Sequence, residues 1–415
     1  MGAPYGSTHY FYIGTAMKLF FALLLIIFLA FSGYHLSFRE LKLPVVARKF
    51  YLTGTEFLFL GLLLGPEFVN MFDAGILKGL EPLSGLILGW IGLLFGLQFE
   101  INKMRRFPVE YFRAATVEGL VTGGVVLTGT FLVLYFFFRM DLLMIGIVSM
   151  ALSASAACTA QTGLALVAPG LIAKRQETAS ILRYISSFDG LIALCFLGLS
   201  YLFRPLAVAG YSWGGVIGYR TVIAVGTFVV ILFLYTLFMG GRRNEKELLL
   251  VMIGMAVLTS GTASVLNFSP LIMNFLMGVC LVNLSRQKEL IFQILISVEK
   301  PVYIMLMVFL GISWHLTTVW PFILGAGFCV LRITGKFSGG YMVSRFIPGM
   351  QHVTRQLGFG LIEQGGLSLA VLYDFQYGVV GDLSAHVLSV VIVSVMISDV
   401  VSMHYLLRLF KKESG

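Results

Sequence analysis

Thirteen separate runs of apolar residues, each long enough to cross a bilayer as a helix, constrain this chain more than any other feature. A hydrocarbon core about 30 Å thick needs about 20 residues of helix. Cutting the sequence at its polar, proline and glycine punctuation leaves runs at roughly 16–34, 52–70, 81–100, 114–138, 142–168, 179–203, 214–239, 248–265, 269–285, 291–314, 319–345, 355–376 and 384–408. Backbone groups left unpaired in lipid are prohibitively costly, so such runs must close their hydrogen bonds internally as helices. The expected fold class is an all-α polytopic membrane protein. A mean hydropathy of +0.92 and a charged fraction of only 12% agree with that.

The loops give the orientation. Lys and Arg gather in "FRELKLPVVARK", "NKMRRF", "AKRQ", "GGRRNEK", "SRQKE", the 345–355 link and the terminal "RLFKK", whereas the alternate loops carry Lys78, Arg139, Arg204 and Arg220. By the positive-inside rule the N-terminus lies outside and the C-terminus in the cytoplasm. The same pattern accounts for the net charge of +9 without nucleic acid, because the basic residues sit in short bursts between apolar runs. Cys158, Cys195, Cys280 and Cys329 all fall inside apolar segments with no CxxC spacing, which indicates neither a disulfide framework nor a zinc site. The first run lacks a basic n-region and a small-residue cleavage site, so it reads as a retained helix. The sequence stops just after the last run, and no soluble regulatory domain is expected.

Charges inside the apolar runs are the functional candidates, since a charged side chain at the bilayer centre costs about 2.5–3.5 kcal/mol on insertion scales. Asp189 stands within "LRYISSFDGLIALCFLGLS", as a site residue or as the partner of a buried cation. Arg332 and Lys336, in "FCVLRITGKFSGGYMVSRF", share one helical face at a spacing of four. Arg332 can be buried against carbonyls; Lys336 either snorkels to the membrane edge or sits where Gly335, Gly339 and Gly340 let another backbone approach. Glu363 and Gln364 belong to a site or cap the ends of a broken helix. Asp399 reads as a cytoplasmic-edge charge, Glu56 and Glu118 as solvated carboxylates near the boundary, and Glu299-Lys300 before Pro301 as an interfacial bend. The histidines have no metal-ligand spacing, and no hydrolase or P-loop motif marks an enzyme.

Two runs look able to unwind. The fifth contains "MALSASAACTAQTGLALVAPG", rich in small and hydroxyl residues, and the twelfth contains "GFGLIEQGGLSLAVL". Small residues also serve close helix packing. The fifth and sixth runs recur seven helices later, in opposite orientation, as the twelfth and thirteenth. Paired interrupted helices in corresponding halves point to an inverted-repeat transporter with its site at the midplane.

Seven stretches in order, "FLGLLLGPEF", "LGWIGLLFGLQFEI", "ALSASAACTAQ", "SSFDGLIAL", "KPVYIMLMVFLGISW", "LRITGKFSGGYM" and "EQGGLSLAVL", resemble the successive signatures of the monovalent cation:proton antiporters of the Kef and Nap type. The resemblance implies an antiporter fold in which two interrupted helices cross within a six-helix core that moves against a dimerisation domain. It divides the single membrane domain, 1–415, into a first repeat of about 16–203, a linker helix of about 214–239 and a second repeat of about 248–408. It also implies a homodimer in lipid, of the prokaryotic plasma membrane, with no cofactor beyond the transported cation and proton, and it leaves room for a separately encoded regulatory subunit. Position by position, Asp189 matches the ion-binding aspartate, joined by Ser155, Ala156, Thr159 and Gln364. Lys336 matches the basic residue that faces the crossing, with Arg332 and Glu363 as further candidates for charge compensation. The implied function is exchange of Na⁺ or K⁺ for H⁺ by alternating access, with Asp189 holding cation or proton in turn.

Three positions depart from the family pattern: Phe188 where an acid or amide is usual, Ala156 where some branches place an acid or hydroxyl, and Leu367 where many have Glu. Either Glu363, one helical turn from Leu367, substitutes for the missing acid or Lys336 pairs directly with Asp189. With a single acid, one-for-one electroneutral exchange is the simplest expectation, a count that a titrating lysine would change. Two readings compete with antiport: a sodium-coupled importer of an organic anion on the same plan, and a membrane subunit that senses or scaffolds without transporting.

Overall fold

In a computed structural model, residues 6–37, 54–138, 140–167, 172, 176–209, 213–239, 244–316, 318–351, 356–378 and 382–411 are described. Much of the loop charge that set the orientation, including 38–49, Lys174, Arg175, Arg242, Arg243 and Arg139, lies outside them. Among the described residues there is no strand. The helices are α1 (Gly6–Ser37), α2 (Thr55–Leu64), α3 (Glu81–Gly96), α4 (Val109–Phe137), α5 (Leu142–Ala157), α6 (Thr162–Leu166), α7 (Gln176–Ala209), α8 (Trp213–Met239), α9 (Glu245–Val265), α10 (Pro270–Leu284), α11 (Lys288–Ser297), α12 (Glu299–Ile312), α13 (Trp320–Phe346), α14 (Gly366–Gly378) and α15 (Asp382–Lys411). Short turns at Ala74–Gly79 and Ile101–Met104 and a 3-10 turn at Leu357–Leu361 join them.

Every expected apolar run contains helix. Among the described residues, seven helical stretches are long and apolar enough to cross a membrane, one of them α5 continued across its break into α6, and α11 with α12 make an eighth bent by 44°. That bend falls at Val298, ahead of Pro301, so the run expected at 291–314 is two helices and not one. Helices α2, α3 and α10 are shorter apolar elements.

The helices pack as two groups. In the first, α3 lies along α10, α2 along α12, and α1 and α9 flank them. Their contact is backbone to backbone: a Cβ on Gly96 would strike Phe275 O and the Gly278 Cα, and one on Gly311 would strike Leu58 O. Glycine alone permits this approach. In the second group α4 packs on α13 and α7 on α5, with α15 against α13, and α5 and α14 sit in the middle. Helix α8 touches α7, α9 and α10 and so bridges the groups.

Between the groups α14 carries most of the polar contact. Ser84 and Tyr373 hydroxyls meet at 3.0 Å, Tyr377 donates to Ser264 at 3.0 Å, and the Asp374 carboxylate accepts the first-turn amide of Leu271 at 3.2 Å. Elsewhere the join is aromatic, with Phe188 of α7 edge-on to Phe99 at 5.3 Å.

Candidate functional site

Both runs expected to unwind do so. Helix α5 stops at Ala157 because Cys158 turns extended (ψ 137°), and α6 resumes at Thr162. On the other side, Ile362–Gly365 separates the 3-10 turn from α14. The two interruptions cross and bond to one another, Ala160 N donating to Glu363 O at 3.1 Å. Gly365 is required at the crossing, since a Cβ there would sit 2.6 Å from the Ala160 Cβ.

Unwinding leaves the last carbonyls of α5 without helical donors, and the dipole makes that end negative. Arg332 answers them. Its Nε donates to Ala156 O at 3.0 Å and its Nη2 to Cys158 O at 2.8 Å and Glu363 O at 3.1 Å, while Nη1 donates to Ile362 O. The guanidinium fork therefore ties both interruptions together from α13. The Glu363 carboxylate accepts from Gly163 N at 2.6 Å, at the opening of α6. Of the two readings of Glu363, the geometry places it at a helix end, in no hydrogen bond with Lys336.

One turn beyond Arg332, Lys336 Nζ donates to Ala157 O at 2.7 Å and lies 3.2 Å from both Asp189 Oδ2 and Glu118 Oε2. Lys336, Asp189 and Glu118 are all 0% exposed. Lys336 does not snorkel. The glycines beside it act as expected: a Cβ on Gly339 would press on Glu118, and one on Gly335 on Thr122, so α13 lies directly against α4. Thr122 Oγ1 donates to the second Glu118 oxygen at 2.8 Å. Asp189 differs in this respect. Its Oδ1 is buried with no hydrogen-bond partner, as is Thr159 Oγ1, and the Thr159 hydroxyl is within interaction range of that carboxylate.

Ser155 and Gln364 turn away from the aspartate. Ser155 Oγ meets Ser368 Oγ at 2.6 Å, Gln364 Nε2 donates to Ser368 at 2.7 Å and to Ser155 Oγ at 3.3 Å, and Ser394 donates to Gln364 Oε1 at 3.1 Å. These side chains fasten α5 to α14 and α15. Ala156 contributes its carbonyl, to Arg332.

Two sequence expectations are corrected. Glu118 is no boundary carboxylate: α4 begins at Val109, ahead of the expected 114, which carries Glu118 more than two turns into the helix and into the site. Its signal was the Glu118-Thr122 spacing of four beside Gly119 and Gly123, a small-residue face. Asp399, expected at the cytoplasmic edge, is buried in α15 at 2% exposure. The acid missing at Phe188 is replaced by an aromatic stack, with Tyr184 at 4.9 Å and Phe112 at 5.3 Å. Among the described residues, no three His, Cys, Asp or Glu side chains are grouped as a metal site.

The family model for the transmembrane sodium/hydrogen exchangers matches residues 25–407. The chain belongs to this exchanger family. Its fold is similar to that of a sodium proton antiporter from Methanocaldococcus jannaschii, with a TM-score of 0.63 at 18% identity, covering 96% of this chain and all of that one. Comparison with curated proteins gives no match. The chain is thus an integral membrane protein of a family of secondary transporters, not of enzymes, with the crossed-helix antiporter fold.

Proposed function

We propose that the protein exchanges a monovalent cation, Na⁺ or K⁺, for a proton by alternating access, with Asp189 as the group that holds one or the other. The observation that carries this reading is the unpartnered Asp189 Oδ1, buried beside the unpartnered Thr159 Oγ1 at a helix interruption. Hydroxyl and carboxylate oxygens are hard donors suited to a small cation, and a proton on the carboxylate satisfies the same oxygen when no cation is there. The Ala157 and Cys158 carbonyls are already engaged by Lys336 and Arg332, which restricts the ligands on offer to Asp189, Thr159 and, once the lysine shifts, Glu118.

The same reading includes thirteen spans with the N-terminus outside, the repeat division at α8, and the six-helix group as the moving body. It also includes a homodimer in a prokaryotic plasma membrane, with α1 presenting Phe20, Phe21, Phe28 and Phe31 outward to lipid or to the second copy.

The test is a proteoliposome assay with a trapped pH dye, adding Na⁺, K⁺ and Li⁺ in turn. One or more cations should drive proton movement in the wild type and none in Asp189→Asn. Exchange that persists undiminished in Asp189→Asn would sink the assignment of the site.

A further inference from the structure

We propose that Arg204 sets how readily the bundle opens at the end where α7 finishes: it is a positioning residue that takes the Asp374 carboxylate when α14 parts from α10, making an ion pair that the closed form lacks. The inference rests on the alternating-access reading and adds to it a group that holds the second state.

The closed form is visible at the start of α10. Two amides there have no helical acceptor, since Pro270 brings no N–H and Met273 N is the first to bond back, to Ser269 O at 3.1 Å. Ser269 Oγ accepts from Ile272 N at 2.9 Å. The other amide, Leu271 N, donates across the seam to Asp374 Oδ1 at 3.2 Å. Closure at this end therefore includes one bond between a charged carboxylate and a neutral amide.

That bond leaves charges unmatched beside it. Asp374 has no exposed surface, and its second oxygen, Oδ2, is buried with no hydrogen-bond partner. Tyr201 of α7 donates to the Asp374 carbonyl at 2.6 Å and not to the carboxylate. Arg204 stands three residues further along α7. Its guanidinium lies 4.0 Å from the Tyr201 ring centroid, and its Nη2 makes one long bond, 3.3 Å, to Phe375 O. Its Nε and Nη1 are buried without partners, within electrostatic range of Asp374. A second cation at this end, Arg220 of α8, is held by Asn267 O at 2.8 Å over the Phe268 ring, and its like charge bears on Arg204.

Packing decides who stays together. Asp374 and Arg204 belong to one group, through α14 and α7, and Leu271 belongs to the other. When the groups part, Leu271 N passes to water, which replaces a neutral partner at little cost. Asp374 keeps Arg204 beside it. Released from Leu271 N, the carboxylate is free to rotate onto the guanidinium, and a charge-assisted bond replaces a carboxylate on an amide and a guanidinium on a carbonyl. The open form gains a contact for the one it gives up. Under the proposed orientation this is the outer end of the bundle.

The experiment follows hydrogen exchange at the first turn of α10, in full-length protein in nanodiscs, because the Leu271 amide exchanges when the seam opens. Arg204→Gln keeps a donor for Phe375 O and loses the charge. Exchange in peptides that carry Leu271 should slow by about tenfold, the weight of one charge-assisted hydrogen bond. In proteoliposomes the same variant should need more cation for half-maximal exchange at that face, with ion preference unchanged, since the open form is the one that takes up the ion there. An Arg204 that merely braces the closed form predicts the opposite sign. Faster or unchanged hydrogen exchange in Arg204→Gln overturns the proposal and leaves antiport standing. Added to Asp374→Asn, Arg204→Gln should change nothing further, because no carboxylate is left to take; a slowing as large as in the single variant also overturns it. Where Arg204→Gln does not fold, Arg204→Lys decides: it keeps the charge and should slow the exchange by less, and any acceleration counts against the proposal. A wild type that moves no protons against any cation removes the antiport reading, while the amide exchange still decides the role of Arg204.

Discussion

Arg332 and Lys336 stand one turn apart on α13, both with no exposed surface, yet their surroundings differ in kind. The guanidinium meets four neutral carbonyls from two unwound segments, and its charge is balanced by the ends of helices. The ammonium meets one carbonyl and two carboxylates. A fork with fixed donors suits a joint that has to stay put, and a point charge with rotatable donors suits one that exchanges partners. Burial alone therefore says little about the role of a charge in this bundle. Its partners decide whether it serves as mortar or as part of the cycle.

The hardest blow to the comparison is Arg332→Met. It strips the Ala156, Cys158, Ile362 and Glu363 carbonyls of a donor at once, at about 1–3 kcal/mol for each one left unsatisfied. The variant should fail to give monodisperse protein by detergent size-exclusion, and Arg332→Lys should recover little of it. If Arg332→Met behaves as wild type in thermal unfolding, the fork is not what holds the crossing.

Lys336→Met should be the next largest, leaving two buried carboxylates without a cation at about 3–5 kcal/mol. Adding Glu118→Gln should return part of the loss. A thermal-unfolding double-mutant cycle should show coupling of about 0.5–3 kcal/mol, and additive effects would mean that the pair is not energetically joined. Gly365→Ala separates joint from charge cluster, because the methyl group meets Ala160 and touches neither Lys336 nor Asp189. It should cost about 1–3 kcal/mol by overpacking and leave the cation selectivity of exchange as it was. Glu363→Gln keeps an acceptor for Gly163 N, so about 0.5–1.5 kcal/mol is expected with exchange retained. A larger loss of transport than of stability would return Glu363 to the site.

The smallest effect lies outside the bundle. Lys288, and then Lys103, hold the Glu100 carboxyl below its ordinary value of 4.5. The stabilisation is present above the value in the unfolded chain and is lost as pH falls through the lowered one. In detergent unfolding, Glu100→Gln should flatten the acid limb slightly and change nothing near neutrality.

The fold was legible because lipid leaves few options: apolar length, loop charge and paired interruptions specify helices, and seven ordered motifs specify which bundle. Asp189, Arg332 and Lys336 were legible for the same reason, as charges where charges are costly. Glu118 was hidden by an error of five residues in a helix start, since Pro108 ends the loop earlier than hydropathy suggests. The Ser155, Gln364, Ser368 and Ser394 network could not be read at all. It joins residues up to 213 apart in sequence through a crossing whose geometry no local pattern encodes. The break at Val298 was signalled by Glu299-Lys300 before Pro301, which reads as a bend, although the apolar run around it continues as if it were one helix.

The interlocked glycines of α2, α3, α10 and α12 have a mechanical consequence. Helices whose backbones touch cannot slide by a residue without driving side chains into carbonyls, so that group is rigid as a unit. Three of its polar ties to the other group, through hydroxyl, carboxylate and amide, sit on α14, and water can replace each at little cost. In the proposed alternating-access cycle the shear plane would follow that face of α14, with the Phe188–Phe99 contact and the α8 bridge beside it.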